Sequence, residues 1–98
     1  MRATFSEIVT EHNELAIRYL ESAAQTGYPA AILESANLYA FGDIVGPDRN
    51  KSAFWALAWS EVTGNPVPGY IQTAVIDRLD AKTYQDLYER AMRFADQL

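Results

Sequence analysis

Cysteine is absent from this 98-residue chain. That excludes disulfide staples, thiolate metal sites and cysteine nucleophiles. Basic residues are scarce: 8 Lys and Arg stand against 13 Asp and Glu, a net charge of −5. Affinity for phosphate backbones comes largely from basic patches, so no nucleic-acid partner is expected. No apolar run approaches the ~20 residues of a membrane span, and the segment Met1 to Glu7 lacks the apolar core of a signal peptide. A cytoplasmic protein without membrane contact is therefore expected. The acid excess sits early, with 3 basic and 7 acidic residues among positions 1–49, yet no block of like charge is long enough to form a tail. What the chain does hold is apolar: nearly half its residues, too many for a disordered segment. The length allows one small domain, near the size where burial becomes marginal.

The stretch from Ala30 to Gly64 reads as a complete helix–turn–helix unit, flanked by partial copies. Phe5, Ile8, Val9, His12, Leu15, Ala16, Tyr19, Leu20, Ala23 and Ala24 follow the three–four spacing of a helix with one buried face. The pattern fits one helix over 6–26 or two broken near His12-Asn13. Gly27 suits a left-handed closing position, and Pro29 suits the first turn of the next helix. That second helix, about 29–41, is light, with alanine at 30, 31, 36 and 40. The run Phe41 to Asp48 breaks it. Asp48 or Asn50 then caps a helix over 51–63. Ala53, Phe54, Trp55, Ala56, Leu57, Ala58, Trp59 and Val62 make that helix apolar almost all round, so it belongs at the centre. Gly64-Asn65-Pro66-Val67-Pro68-Gly69 is a strong turn signal. A helix is predicted over 68–78, and Asp80 caps a last one over 81–97. Its apolar arc, Tyr84, Leu87, Tyr88, Ala91, Met92, Phe94, Ala95 and Leu98, opposes a polar arc that carries Arg90 and Arg93.

A shift of 37 residues places Ala16 on Ala53, Leu20 on Leu57, Gly27 on Gly64 and Pro29 on Pro66. Such a period suggests stacked helical repeats. The residues Ala30, Ala31, Tyr39, Gly42, Val45 and Asp48 keep the spacing of one repeat. Ala16, Tyr19, Leu20, Ala23, Ala24 and Gly27 keep that of the half-unit before it. On these residues the chain resembles the Sel-one-like repeat (SLR) family, relatives of the tetratricopeptide repeat. It departs from the pattern where Ser35 or Ala36 stands at the position of the first helix's glycine. Ile44 replaces a loop glycine, and the second helix carries one extra residue. The resemblance implies an all-α fold: a short right-handed α-solenoid of antiparallel helix pairs, with about five main helices. It divides the single domain 1–98 into a half repeat (6–28), a full repeat (29–66), and a degenerate repeat with a capping helix (67–98). It further implies a curved surface that binds other proteins.

Chemistry is sparse. His12 is the only histidine, flanked by Glu11 and Glu14, and an unpartnered helical histidine is more often structural than a metal ligand or base. The loop Gly42-x-x-x-Gly46 lacks the lysine and hydroxyl of a phosphate loop. Asp77 and Asp80 are carboxylates that could act as acid and base, but capping at a helix junction explains them better. No catalytic, metal or cofactor residues are therefore expected. The aromatics pose the open question. Trp55 and Trp59, with Tyr19, Tyr28 and Tyr39, either fill helix interfaces or line a groove that anchors a partner. The expected activity is a non-enzymatic interaction module, an adaptor or small regulatory protein that grips a peptide or helix. The alternative is a self-assembling structural protein, a homodimer with no groove ligand.

Overall fold

The computed structural model describes the backbone of residues 5–42 and 46–98, and within those ranges the side chains from residue 13 onward. These residues are all-helical, with no strand. In chain order they form α1 (Phe5–Gln25), α2 (Pro29–Phe41), α3 (Arg49–Thr63), α4 (Gly69–Ala74), a 3₁₀ turn (Ile76–Arg78) and α5 (Ala81–Asp96). None of the helices is long and apolar enough to cross a membrane.

The helix α1 runs unbroken through His12-Asn13, which decides between the two readings of that stretch. The side chains of Phe5, Ile8, Val9 and His12 lie outside the described residues, as does the Asp43-Ile44-Val45 part of the loop. Gly27 stops α1 at φ +90°, a conformation that costs an L side chain about 1–2 kcal/mol. A Cβ there would also come within 2.7 Å of Leu98 Cδ1, so the end of the chain rests on the first turn. Gly64, its counterpart 37 residues on, ends α3 at φ +75°. Pro29 opens α2, where no N–H is needed. Asp48 begins α3: its Oδ1 accepts from Lys51 N at 3.0 Å, and its own N–H donates to Tyr39 O at 2.9 Å. Asp80 caps α5 by accepting from Thr83 N at 2.6 Å.

The helix α3 is central, as its apolar circumference requires: α2 packs on one flank and α5 on another, and α1 packs against α2. Small residues bring α2 and α3 together. Ser35 and Ala36 on α2, and Ser52, Ala53 and Ala56 on α3, are fully buried, and Ser52 Oγ donates across to Ala36 O at 2.8 Å. On the other flank, Phe54 and Trp55 meet Phe94 of α5 edge to face, with ring centroids 5.9 and 5.5 Å away. That is the favoured geometry for aromatic pairs. Trp55 is only 6% exposed, and Trp59 is half-buried.

One helix differs from expectation. Residues 68–78 do not make a continuous helix. The backbone leaves helical geometry at Val75 (φ −124°, ψ −63°), and a 3₁₀ turn follows. Val75 and Ile76 are both buried at the break, and β-branched residues lose little by leaving a helix. Gln72 Nε2 donates to Asp77 Oδ1 at 2.8 Å across the break.

The array is shallow. Its radius of gyration is 14.6 Å, with extents of 49 × 28 × 20 Å, against about 13 Å for a globular domain of 100 residues. A layer this thin covers its middle helix and leaves apolar flanks bare at its edge.

Candidate partner-binding surface

The helices α1 and α2 form a hairpin closed at Gly27, and the side away from α3 has no neighbour among the described residues. The three–four spacing of α1 places Ala16, Tyr19, Leu20 and Ala23 along one side. Ala30, Ala31 and Glu34 of α2 face them, and Tyr28 stands at the turn. Together these residues line an open furrow of about 470 Å³. Its floor is shallow because alanine is short. Its walls are aromatic: Tyr19 is 76% exposed and Tyr28 is 61% exposed. Exposed apolar surface of this extent, rimmed by polar groups, marks interaction sites in soluble proteins.

The aromatics thus divide. Tyr39 and Trp55 are core; Tyr19 and Tyr28 line the furrow. The Tyr39 hydroxyl donates to Glu21 Oε1, and Lys51 Nζ lies 5.1 Å from the ring centroid. Burial, the hydrogen bond to Glu21 and the negative charges of Glu21 and Asp48 push the Tyr39 phenol up to about 12. This cluster ties α1, α2 and the start of α3 into one frame, which fixes the two walls of the furrow relative to each other. Trp59 reaches the edge of the core without entering the furrow.

Two other surface features are less available. Phe41 and Tyr70 stack at 6.1 Å, and the Tyr70 hydroxyl donates to Asn37 Oδ1 at 2.9 Å. These groups satisfy one another. Between α3 and α5, Asn50, Lys51, Phe54, Leu87 and Arg90 line a recess of about 340 Å³, where Asp86 Oδ2 holds Arg90 Nη2 at 3.1 Å. Elsewhere, the charge of Glu61 holds the Tyr88 phenol above its ordinary range.

No family model, curated protein or solved structure matches the chain. Function must therefore be argued from the residues themselves. Among the described residues, no three His, Asp or Glu side chains group as metal ligands would. Asp77 and Asp80 are engaged by Gln72 and by the Thr83 amide. The hydrogen bonds from Thr83 hold the Asp80 carboxyl below its usual range, as suits a cap and not a general acid. The sequence singled out Tyr19 and Tyr28 as one of two possibilities, core or groove. The signal that separates them from Tyr39 is positional: Tyr39 lies on the helix with neighbours on both flanks.

Proposed function

We propose that the chain is a non-enzymatic protein-interaction module, an adaptor or small regulatory protein, that receives a helix of another protein in the α1–α2 furrow. One observation carries the reading: two tyrosines, 76% and 61% exposed, stand beside an alanine-lined floor. Aromatic anchors beside a recess are the usual source of binding energy at protein interfaces.

The reading takes the architecture as a short SLR-type array. The 37-residue internal shift supports it. Ala53 and Leu57 of α3 are buried, while their counterparts on α1, Ala16 and Leu20, are exposed and half-buried. In a stacked array each helix pair covers the next, and an end pair is bare unless capped. The furrow is then the place of a missing neighbour, open to a helix supplied from outside.

The test compares wild type with the Tyr19→Ser/Tyr28→Ser variant in affinity capture from host extract. Both side chains are exposed, so the variant keeps its fold, checked by circular dichroism. A protein recovered by wild type and lost by the variant supports the module. Recovery of the chain alone, with mass rising with concentration for wild type only, moves the reading to the homodimer.

A further inference from the structure

We infer that a second copy of the chain packs antiparallel along α1, on a stripe that lies beside the furrow. The inference does not rest on the furrow reading, and Leu15, on the stripe, is not among the residues that line the furrow. The helix α1 has 21 residues and α2 has 13, so about 12 Å of α1 runs beyond the length that α2 can match. The apolar residues of α1 fall on two sides. At 100° per residue, Ile17, Leu20 and Ala24 share the side turned to α2, where Ala24 is fully buried. Continued towards the N-terminus, that side holds Ser6, Thr10 and Asn13. Phe5, Ile8, Leu15 and Tyr19 recur instead at alternating steps of three and four, with His12 at the position between and Ser22 at the next. That is the spacing of a seam between paired helices, and on the backbone of α1 these six positions form one stripe away from Ala24. The two apolar side chains of the stripe that the structure describes, Leu15 and Tyr19, are 54% and 76% exposed.

The flanking charges choose the occupant. Glu11 and Arg18 hold equivalent register positions on one flank of the stripe, and Val9, Ala16 and Ala23 hold the other flank. In an antiparallel pair each flank meets the same flank of the other copy. The register that sets position 12 opposite position 15 sets Glu11 opposite Arg18, and the twofold axis repeats that pairing on the far side of the centre. The same register sets position 8 opposite 19 and position 5 opposite 22, and the neutral flank places Val9 opposite Ala16. A parallel pair would instead set Glu11 opposite Ala16 and Arg18 opposite Ala23, with no opposite charges matched. A flank of one sign would call for a partner of the other sign. An acid and a base at equivalent positions answer each other in a second copy. The overlap is under three heptads, so the pair is a weak one that exchanges with the monomer.

Sedimentation of the full chain across the micromolar range tests this, with circular dichroism confirming that each variant is folded. Wild type is expected to pass from one chain to two as concentration rises, and Leu15→Glu to stay monomeric. Arg18→Glu and Glu11→Arg each set like charges opposite one another twice, and each should raise the dissociation constant about tenfold. The double variant Glu11→Arg/Arg18→Glu should recover wild-type association. Orientation is read from a spin label on Ser22→Cys, a unique site in a chain without cysteine. The antiparallel register holds the two labels about 25 Å apart along the helix axis, against about 10 Å for a parallel pair. A monomeric wild type, a dimer indifferent to Leu15→Glu, a double variant that does not recover, or a short label distance overturns the inference. A dimer lost in Tyr28→Ser and kept in Leu15→Glu lies in the furrow and overturns it as well. Leu15→Glu retains the furrow and should capture the same partner as wild type, so the two readings fail separately.

Discussion

Two buried serines, Ser35 on α2 and Ser52 on α3, should respond to alanine with opposite signs. Ser35 Oγ is fully buried with no hydrogen-bond partner among the described residues. Ser52 Oγ is as deeply buried but donates to Ala36 O at 2.8 Å. A buried hydroxyl without a partner costs about 1–3 kcal/mol, whereas a satisfied one contributes about 1 kcal/mol. Each Ser→Ala change also gains up to about 0.5 kcal/mol of helix propensity and leaves a void the size of one oxygen atom. These shared terms nearly cancel between the two variants. Ser35→Ala should therefore stabilise the fold by about 1 kcal/mol or more, and Ser52→Ala should cost about 1 kcal/mol. The gap of at least about 2 kcal/mol corresponds to roughly 10 °C between the thermal midpoints of the two variants. Urea unfolding followed by circular dichroism measures it, with equal m-values required before midpoints are compared. A Ser35→Ala variant no more stable than Ser52→Ala would refute the assignment, because the Ser35 hydroxyl would then have a stabilising partner.

Other perturbations test other parts of the frame. Trp55→Ala removes the centre of the Phe54–Trp55–Phe94 cluster and should cost about 3–5 kcal/mol, whereas Tyr19→Ala, at 76% exposure, should stay within about 0.5 kcal/mol; denaturant titration of both checks the contrast. Tyr39 keeps its proton up to about 12 when folded, against 10.0 unfolded, so its contribution is complete below pH 10 and is lost as pH rises towards 12. Tyr39→Phe should be less stable at neutral pH and lose less between those values, as read from alkaline unfolding curves. The Asp80 carboxyl is held below 3.8, so its contribution is present above that pH and vanishes as pH falls through the folded value; Asp80→Ala should lower the melting temperature at neutral pH and not in strong acid. Tyr28 is the N-cap of α2 and makes no side-chain cap bond; Tyr28→Ser supplies one and should stabilise the helix by about 1 kcal/mol, detectable as a raised melting temperature.

Most of the frame was legible because local chemistry decides it. The capping oxygens of Asp48 and Asp80, the closing conformations of Gly27 and Gly64, and the start at Pro29 follow from neighbours within a few residues. The central place of α3 follows from its having no polar face. The break at Val75 was not legible: no glycine or proline within 70–76 marks it, and the apolar spacing of 68–78 is that of a continuous helix. Tyr19 teaches a related point. Its three–four spacing placed it on the face of α1 that prefers cover, and the structure leaves that face open at the end of the array. Periodicity records what a side chain prefers; whether a neighbour arrives is a property of the whole array. The unpartnered hydroxyl of Ser35 is invisible in sequence for the same reason, since Ser52, the same residue type, found a partner.

The contact between α2 and α3 has a consequence for how this chain can change over time. Ala36, Ser52, Ala53 and Ala56 are already near the lower limit of side-chain size, so almost every substitution there adds volume. A core of leucines can drift in both directions, shrinking at one position and growing at another. Here the smaller choices are only glycine, which weakens the helix that must carry it, and, at Ser52, alanine. A saturation mutagenesis scan should therefore give a one-sided profile: Ala, Gly and Ser survive at these four positions, while nearly any hydrophobic residue of similar bulk survives at Leu57 or Ile32. Through successive generations the alanine seam would stay fixed, and novelty would enter at the furrow.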